Sequence, residues 1–242
     1  MTQLKILEIL QQRPSVHELY YGAFIQEPIL IDENLFAIPL ISLGFASQAH
    51  YLGQYTLEIA KASLDQNALE NLISQGANAL PVIAIVCLHK NDAAPEELEN
   101  NSRIKLDNAN RILSWASGDN ITSFGILTLT QNRSFFRLIF PHSNSRLRLG
   151  FGNTGQDFQN QIANITKAVE EDEHFNFGIS LFQDALREVN PKFKIARFFS
   201  CLECFAHKIK SKERPSRKAV KYLLDLEEGA FSEVHINETK YR

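Results

Sequence analysis

Residues 81–88 read PVIAIVCL, eight positions without a charged or hydroxyl-bearing side chain. Side chains alternate between the two faces of a sheet, so a strand that is apolar throughout needs cover on both faces. The segment is too short to cross a bilayer, which takes ~20 residues, and so is the other long apolar run, Phe36 to Leu43. A buried strand implies a sizeable core. The 242 residues supply one, with 44% hydrophobic side chains and seventeen Phe against one Trp and one Met. That length fits one or two domains and needs no disulfide or metal to fold. The composition excludes disorder, collagen and coiled coil.

Residues 2–12 have Leu4, Leu7, Ile9 and Leu10 at helical spacing, and Pro14 limits that helix. Ile29 to Ile31 and Leu35 to Leu43 read as strands, with Pro39 placing the second at an edge or making it irregular. Leu52, Thr56, Ile59 and Ala60 mark one helix. Leu69, Leu72 and Ile73 mark another, capped near Gly76. Asp92 to Asn101, acidic and containing Pro95, reads as a surface loop, and Arg103 to Ala116 as the helix after it. Ser117-Gly118-Asp119 closes that helix. Ile121 to Thr130 and Ser134 to Phe140 form a hairpin across Gln131-Asn132-Arg133. Leu147 to Phe151 reads as a further strand.

Past Gly155 the pattern becomes helical. Phe158, Ile162, Ile165 and Val169 form one stripe. Phe177, Leu181, Ala185 and Leu186 form a second, before Pro191. Ile195, Phe198, Phe199, Leu202, Phe205 and Ile209 form a third, with Phe199 and Leu202 directed into the core. Val220, Leu223 and Leu224 mark a fourth. The fold class expected is α+β: a mixed α/β domain with an antiparallel hairpin sheet over residues 1–155, then an antiparallel helical bundle over 156–242.

The formal net charge of −3 conceals a strong asymmetry. Residues 1–100 hold twelve Asp or Glu against four Lys or Arg, a balance of −8. Residues 101–155 hold seven Lys or Arg against Asp107 and Asp119, a balance of +5. Residues 192–221 hold ten Lys or Arg against Glu203 and Glu213, a balance of +8. Lys208, Lys210, Lys212, Arg214, Arg217 and Lys218 surround Pro215, which reads as an exposed turn. They are the candidate contacts for RNA or for an acidic protein surface, a second copy of this chain included.

Few patterns carry chemistry. Cys201, Cys204 and His207 sit at i, i+3 and i+6, with Cys87 or His89 as a conceivable fourth zinc ligand. Residues six apart on a helix are roughly 120° apart around its axis, too wide for one ion. Two buried thiols and a histidine at the helix edge explain the pattern better, so no metal is expected. Trp115 to Asn120 reads as a helix cap leading into a strand. Gly150-Phe151-Gly152-Asn153-Thr154-Gly155 lacks the Lys-Ser/Thr of a phosphate loop and reads as a linker. Arg137, Arg146 and Arg148, interleaved with Phe135, Phe136 and Phe151, would make either a stacking surface or a core with a basic rim. Alternation puts Phe135 and Arg137 on one face and Phe136 on the other. The seven histidines are scattered, and no nucleophile, paired-carboxylate or HExxH signature is present. No catalytic residue and no cofactor are expected.

Two resemblances add to this reading. Ala109-Asn110-Arg111-Ile112-Leu113-Ser114-Trp115-Ala116-Ser117-Gly118-Asp119, the hairpin ending Phe136-Arg137-Leu138-Ile139-Phe140-Pro141, and Ser145-Arg146-Leu147-Arg148-Leu149 resemble the middle of the methylamine-utilisation protein J (MauJ) family. Asp184 to Glu188, Asn190 to Phe199 and Leu202 to Ala206 are similar to that family's helical part. The likeness covers residues 105–210 and brings no settled activity with it. Arg197, followed by a Phe/Leu-rich helix with Glu203, also resembles HEPN-type helical domains, which are often dimeric ribonucleases marked by an Arg and a His four to six residues apart. Here Arg197 stands ten positions before His207. A bundle of that sort needs another helix after Arg242, so the natural chain is expected either to continue or to lack the active-site helix.

The expectation is therefore a bacterial-type interaction protein, MauJ-like with a HEPN-like helical region that mediates homo-oligomerisation or binds a protein partner. An RNA-binding or RNA-cleaving HEPN-type protein is the alternative. An odd count of three cysteines, and an N-terminus with Lys5, Glu8 and no small-residue cleavage site, fit a cytoplasmic chain with no membrane partner.

Overall fold

The computed structural model describes residues 3–22, 25–40, 48–63, 81–139 and 155–206. Helices α1 (Gln3–Gln12), α2 (Gln48–Ala62) and α3 (Pro95–Ser117) are interspersed with six strands. These are β1 (Ser15–Tyr21), β2 (Ile29–Asp32), β3 (Leu35–Pro39), β4 (Ile83–Leu88), β5 (Thr122–Leu129) and β6 (Ser134–Leu138). Helices α4 (Gly155–Glu171), α5 (Glu173–Arg187) and α6 (Pro191–Phe205) follow. The class is α+β. The chain divides into two compact units, 1–166 and 167–242, the division falling inside α4.

The strands form one antiparallel sheet in the order β2-β3-β4-β1-β5-β6. All six residues of β4 are buried, as an apolar strand in mid-sheet requires. On one face Leu19, Tyr21, Phe36, Ile38, Ala84, Val86, Phe124, Leu127 and Leu129 pack with Leu10 of α1 and Ala60 of α2. On the other face lies α3, whose buried stripe Leu98, Ser102, Leu106, Ala109, Asn110 and Leu113 recurs at helical spacing.

The central strand is β1, paired with both β4 and β5. Periodicity misses it, because SVHELYY places polar groups on both faces and so lacks the alternation that marks a half-buried strand. Against β5 its register shifts between Leu19 and Tyr20: Leu19 pairs Gly125 and Tyr20 pairs Ser123, so Phe124 is an extra residue. The bulge lets Phe124 join the core face, where its ring meets Tyr21 edge-on at 5.3 Å. It also sets Ser123 on the α3 side, level with Tyr20.

Two expectations need correction. Residues 95–101 are helix, not loop: Pro95 is at the helix start, where a missing N–H costs nothing, and Glu96 and Glu97 face the positive end of the helix dipole. β3 is also an internal strand rather than an edge. Its pairing with β2 extends only to Ala37, so Pro39 meets β4 alone and interrupts no ladder on its other side. The edge strand on this side is β2. The Gln159 side chain on α4 covers its open backbone, accepting from the Leu30 N–H at 3.0 Å and donating to the Leu30 carbonyl at 2.7 Å. The expected strand at 147–151 and the expected helices at 69–73 and 220–224 lie outside the described residues.

Within the second unit, α5 and α6 form an antiparallel hairpin. Phe175 meets Phe205 with ring centroids 5.3 Å apart, and Phe182 meets Phe198 at 5.6 Å. Each helix begins at a side-chain cap. Asp172 accepts from the N–H groups of His174 and Phe175, and Asn190 accepts from that of Lys192, with Pro191 next in line.

Gly53 provides a test of how tightly α2 lies on the sheet. A Cβ there would stand 2.6 Å from the Leu40 carbonyl oxygen and 2.7 Å from that of Pro39. Helix propensity alone would make Gly53→Ala stabilising by about 1 kcal/mol. The backbone clash reverses the sign, and urea unfolding should show a net loss of roughly 1–2 kcal/mol. A gain would mean that α2 does not approach β3 this closely.

Candidate functional site

The chemistry-bearing residues of the first unit gather on the α3 side of the sheet. Cross-strand pairing sets Glu18, Ile126 and Arg137 in one row, with Val16, Thr128 and Phe135 in the next. Glu99 on α3 reaches down to both rows: its carboxylate accepts from Arg137 Nη2 at 2.8 Å and from the Thr128 hydroxyl at 3.0 Å. As alternation predicts, Phe135 and Arg137 are exposed together while Phe136 turns towards the core. The Arg137–Glu99 pair leaves Arg137 already neutralised, which weakens a phosphate-binding role for it. Arg146, Arg148 and Phe151 lie outside the described residues.

Glu18 is the unusual group in this row. Burial raises its carboxyl above the ordinary 4.5, and the nearby Asp107 charge adds to the rise; Ser123, Tyr20 and Arg137 oppose it. The Tyr20 hydroxyl, fully buried, is directed at Glu18 and Asn110 but completes a well-formed hydrogen bond with neither. Burial likewise pushes the Tyr20 phenol well above 10.0. Burial of this kind disfavours the charged form of a carboxyl. Nothing in the sequence pattern singles out Glu18, since its neighbours come from α3 and from the far side of a bulge.

Two serine–histidine pairs resemble a nucleophile and its base but are closed. His17 Nε2 and Ser15 Oγ are 2.9 Å apart inside the core, and burial lowers His17 to about 3. His89 Nε2 lies 2.7 Å from the Ser102 hydroxyl, which itself donates to the Leu98 carbonyl at 2.8 Å. The imidazole therefore donates to Ser102 and takes no proton from it. His89 is held low by burial, and secondarily by the Lys105 and Arg13 charges. Ser15, His17 and Ser102 have no exposed surface, so neither serine is open to solvent.

On α6, Cys201 is buried and its thiol is pushed up to about 12, chiefly by burial and then by Cys204. Cys204 also rises, through burial and the Glu203 charge. Both shifts favour the thiol over the nucleophilic thiolate. Among the described residues no group of three or more His, Cys, Asp or Glu is placed to hold a metal. His207 and the basic candidates Lys208, Lys210, Lys212, Arg214, Arg217 and Lys218 lie outside the described residues. Residues 150–154 of the glycine-rich stretch do so as well, and Gly155 opens α4. Trp115 to Gly118 is the helix end expected: Gly118 adopts φ +68° and donates its N–H to the Trp115 carbonyl.

The α5–α6 hairpin carries the more open surface. Phe177, Val189, Phe193 and Ile195 are 58–75% exposed. The apolar stripes expected to be core are therefore only partly so. Phe198 and Phe205 face α5, whereas Phe199 and Leu202 are half-buried and Phe177 and Ile195 face outward. Two helices have too little opposing surface to enclose every apolar residue of both stripes. The cations nearest this surface are partly engaged: Arg197 pairs with Glu188 at 3.3 Å and donates to the Asp184 carbonyl, and Lys194 Nζ donates to the Leu186 carbonyl at 3.5 Å.

No family model matches the chain, and neither a curated protein nor a solved structure matches it. Among the described residues no helix is long and apolar enough to cross a membrane.

The two titratable groups of β1, His17 and Glu18, predict opposite pH responses. Glu18 titrates above 4.5 in the fold, so the wild type loses stability as pH rises from 4.5 through the folded value. Glu18→Gln should gain on the wild type over that rise when urea unfolding is repeated at successive pH values. Curves that stay parallel would show a solvated carboxylate. His17 contributes stability above 6.5 that is lost as pH falls towards 3. Within that window the loss is at most about 1.4 kcal/mol per pH unit. His17→Gln, neutral throughout, should flatten that slope whatever its effect on stability at pH 7. An unchanged slope would mean that His17 is protonated in the folded protein.

Proposed function

We propose that the chain is an interaction protein of the MauJ-like kind, in which the helical region after α4 belongs to a HEPN-like bundle and binds a protein partner or another copy of the chain. The observation that carries this reading is where the exposed apolar surface lies. Of the seven large hydrophobic residues exposed among those described, four fall in the nineteen positions from Phe177 to Ile195. Three of them, Val189, Phe193 and Ile195, lie at the α5–α6 turn, with Phe177 towards the other end of the hairpin, and apolar side chains concentrated at a surface mark a contact site better than scattered ones do. Among the described residues of the other unit, Ser15, His17 and Ser102 are fully buried, which leans the reading away from an enzyme. The nucleic-acid alternative rests on the charge of residues 208–221, since Arg197 and Lys194 make bonds within the hairpin.

Phe177→Ser and Phe193→Ser provide the test. Both side chains are more than half exposed, so a thermal melt should move by only a few degrees, as surface changes do. Sedimentation equilibrium, or titration against the bound partner, should show association weakened about tenfold or more, the response of a contact residue. Association indifferent to both substitutions would remove the Phe177 and Phe193 surface from the interface.

A further inference from the structure

One helix face of the hairpin is complementary to itself. On α6, Lys192, Ala196, Phe199 and Glu203 follow one another at spacings of four, three and four, the seam spacing of paired helices. Ile195 and Ser200 flank the seam. Lys192, Ile195, Ala196 and Ser200 are exposed, and Phe199 and Glu203 half-exposed. Turning the helix end for end about its midpoint exchanges Lys192 with Glu203, Ala196 with Phe199 and Ile195 with Ser200. Each exchange sets a cation against an anion or a large side chain against a small one.

We propose that this face is the contact of a two-fold dimer, in which α6 packs antiparallel on α6 of a second copy. The inference rests on the reading of the helical region as an interaction module and names the partner. Charge placement carries it. Lys192 lies in the first turn of α6 and Glu203 in the last, and α6 has no acid in its first turn and no base in its last. Both charges are therefore at the wrong end of their own helix dipole. In an antiparallel pair each comes to the favourable end of the other helix and opposite an unlike charge. Ala196 and Ser200 leave room at the centre for Phe199 and Ile195 of the partner subunit. The Ser200 hydroxyl already donates to the Ala196 carbonyl at 3.2 Å, so covering it orphans no donor. A two-fold contact is isologous: each residue pairing is made twice.

A seam one helix wide is small, so the wild type should dimerise with a dissociation constant of about micromolar to tens of micromolar. Lys192→Glu opposes two acids to two acids, and Glu203→Lys opposes two bases to two bases. Sedimentation velocity should show each dimer weakened about tenfold or more, with circular dichroism unchanged. Mixing the two variants sets an acid against a base again in both pairings, so the mixture should dimerise, and so should the double variant. Three results would overturn the seam: a wild type monomeric at ~100 μM, far above the dissociation constant expected for such a contact, a dimer that tolerates both reversals, or reversals whose defect mixing does not repair. The wider reading falls separately, only if Phe177 and Phe193 are also silent in association.

Discussion

Enclosing β1 between β4 and β5 is the constraint on which the first unit depends. A strand in mid-sheet has its backbone bonded on both sides and its side chains covered on both faces. Yet β1 carries Ser15, His17 and Glu18. The fold accommodates them by disfavouring their charged forms. His17 stays uncharged against Ser15 under the α1–α2 core, and burial beneath α3 shifts the Glu18 carboxyl upward. An ionised group at either place would oppose the burial that pairs the strands, because low-dielectric surroundings penalise the charged form.

This has a consequence for function. Groups that are catalytic elsewhere, such as a perturbed carboxyl or a serine near an imidazole, here serve to complete a core. Perturbed titration marks a site only where the group also meets solvent or substrate. His17 and Ser102 fail that condition outright. What faces outward is of a different character: apolar side chains on the α5–α6 hairpin, with Lys192 and Glu203 at opposite ends of α6. Among the described residues, Ser15, His17 and Ser102 are turned inward, and the large apolar side chains of the hairpin are turned outward.

Legibility in the sequence followed the strength of local pattern. The strand at 83–88, the hairpin after Ile121, the Gly118 cap and the helices of the second unit are written in runs, turns and periodicity that a few neighbours enforce. β1 was illegible because its pattern is the product of two different environments, one on each face, and neither is adjacent in sequence. The start of α3 was misread because acidic residues after a proline look like a loop to composition but like a helix N-terminus to the dipole. Glu18 gained its neighbours through pairings with residues over a hundred positions away and through a bulge that re-aims Ser123.

The sequence by itself determined the class: an antiparallel sheet with helical cover, then a helical region of contrasting charge. Those features rest on short-range physics, the alternation of strands, the 3.6-residue period of helices and the conformational limits of proline and glycine. Only the tertiary structure decided which strand lies at the centre, which carboxyl is shifted upward by burial and which phenylalanines face solvent. Each of these depends on desolvation by residues distant in the chain, and burial is a property of the assembled fold and not of any local segment.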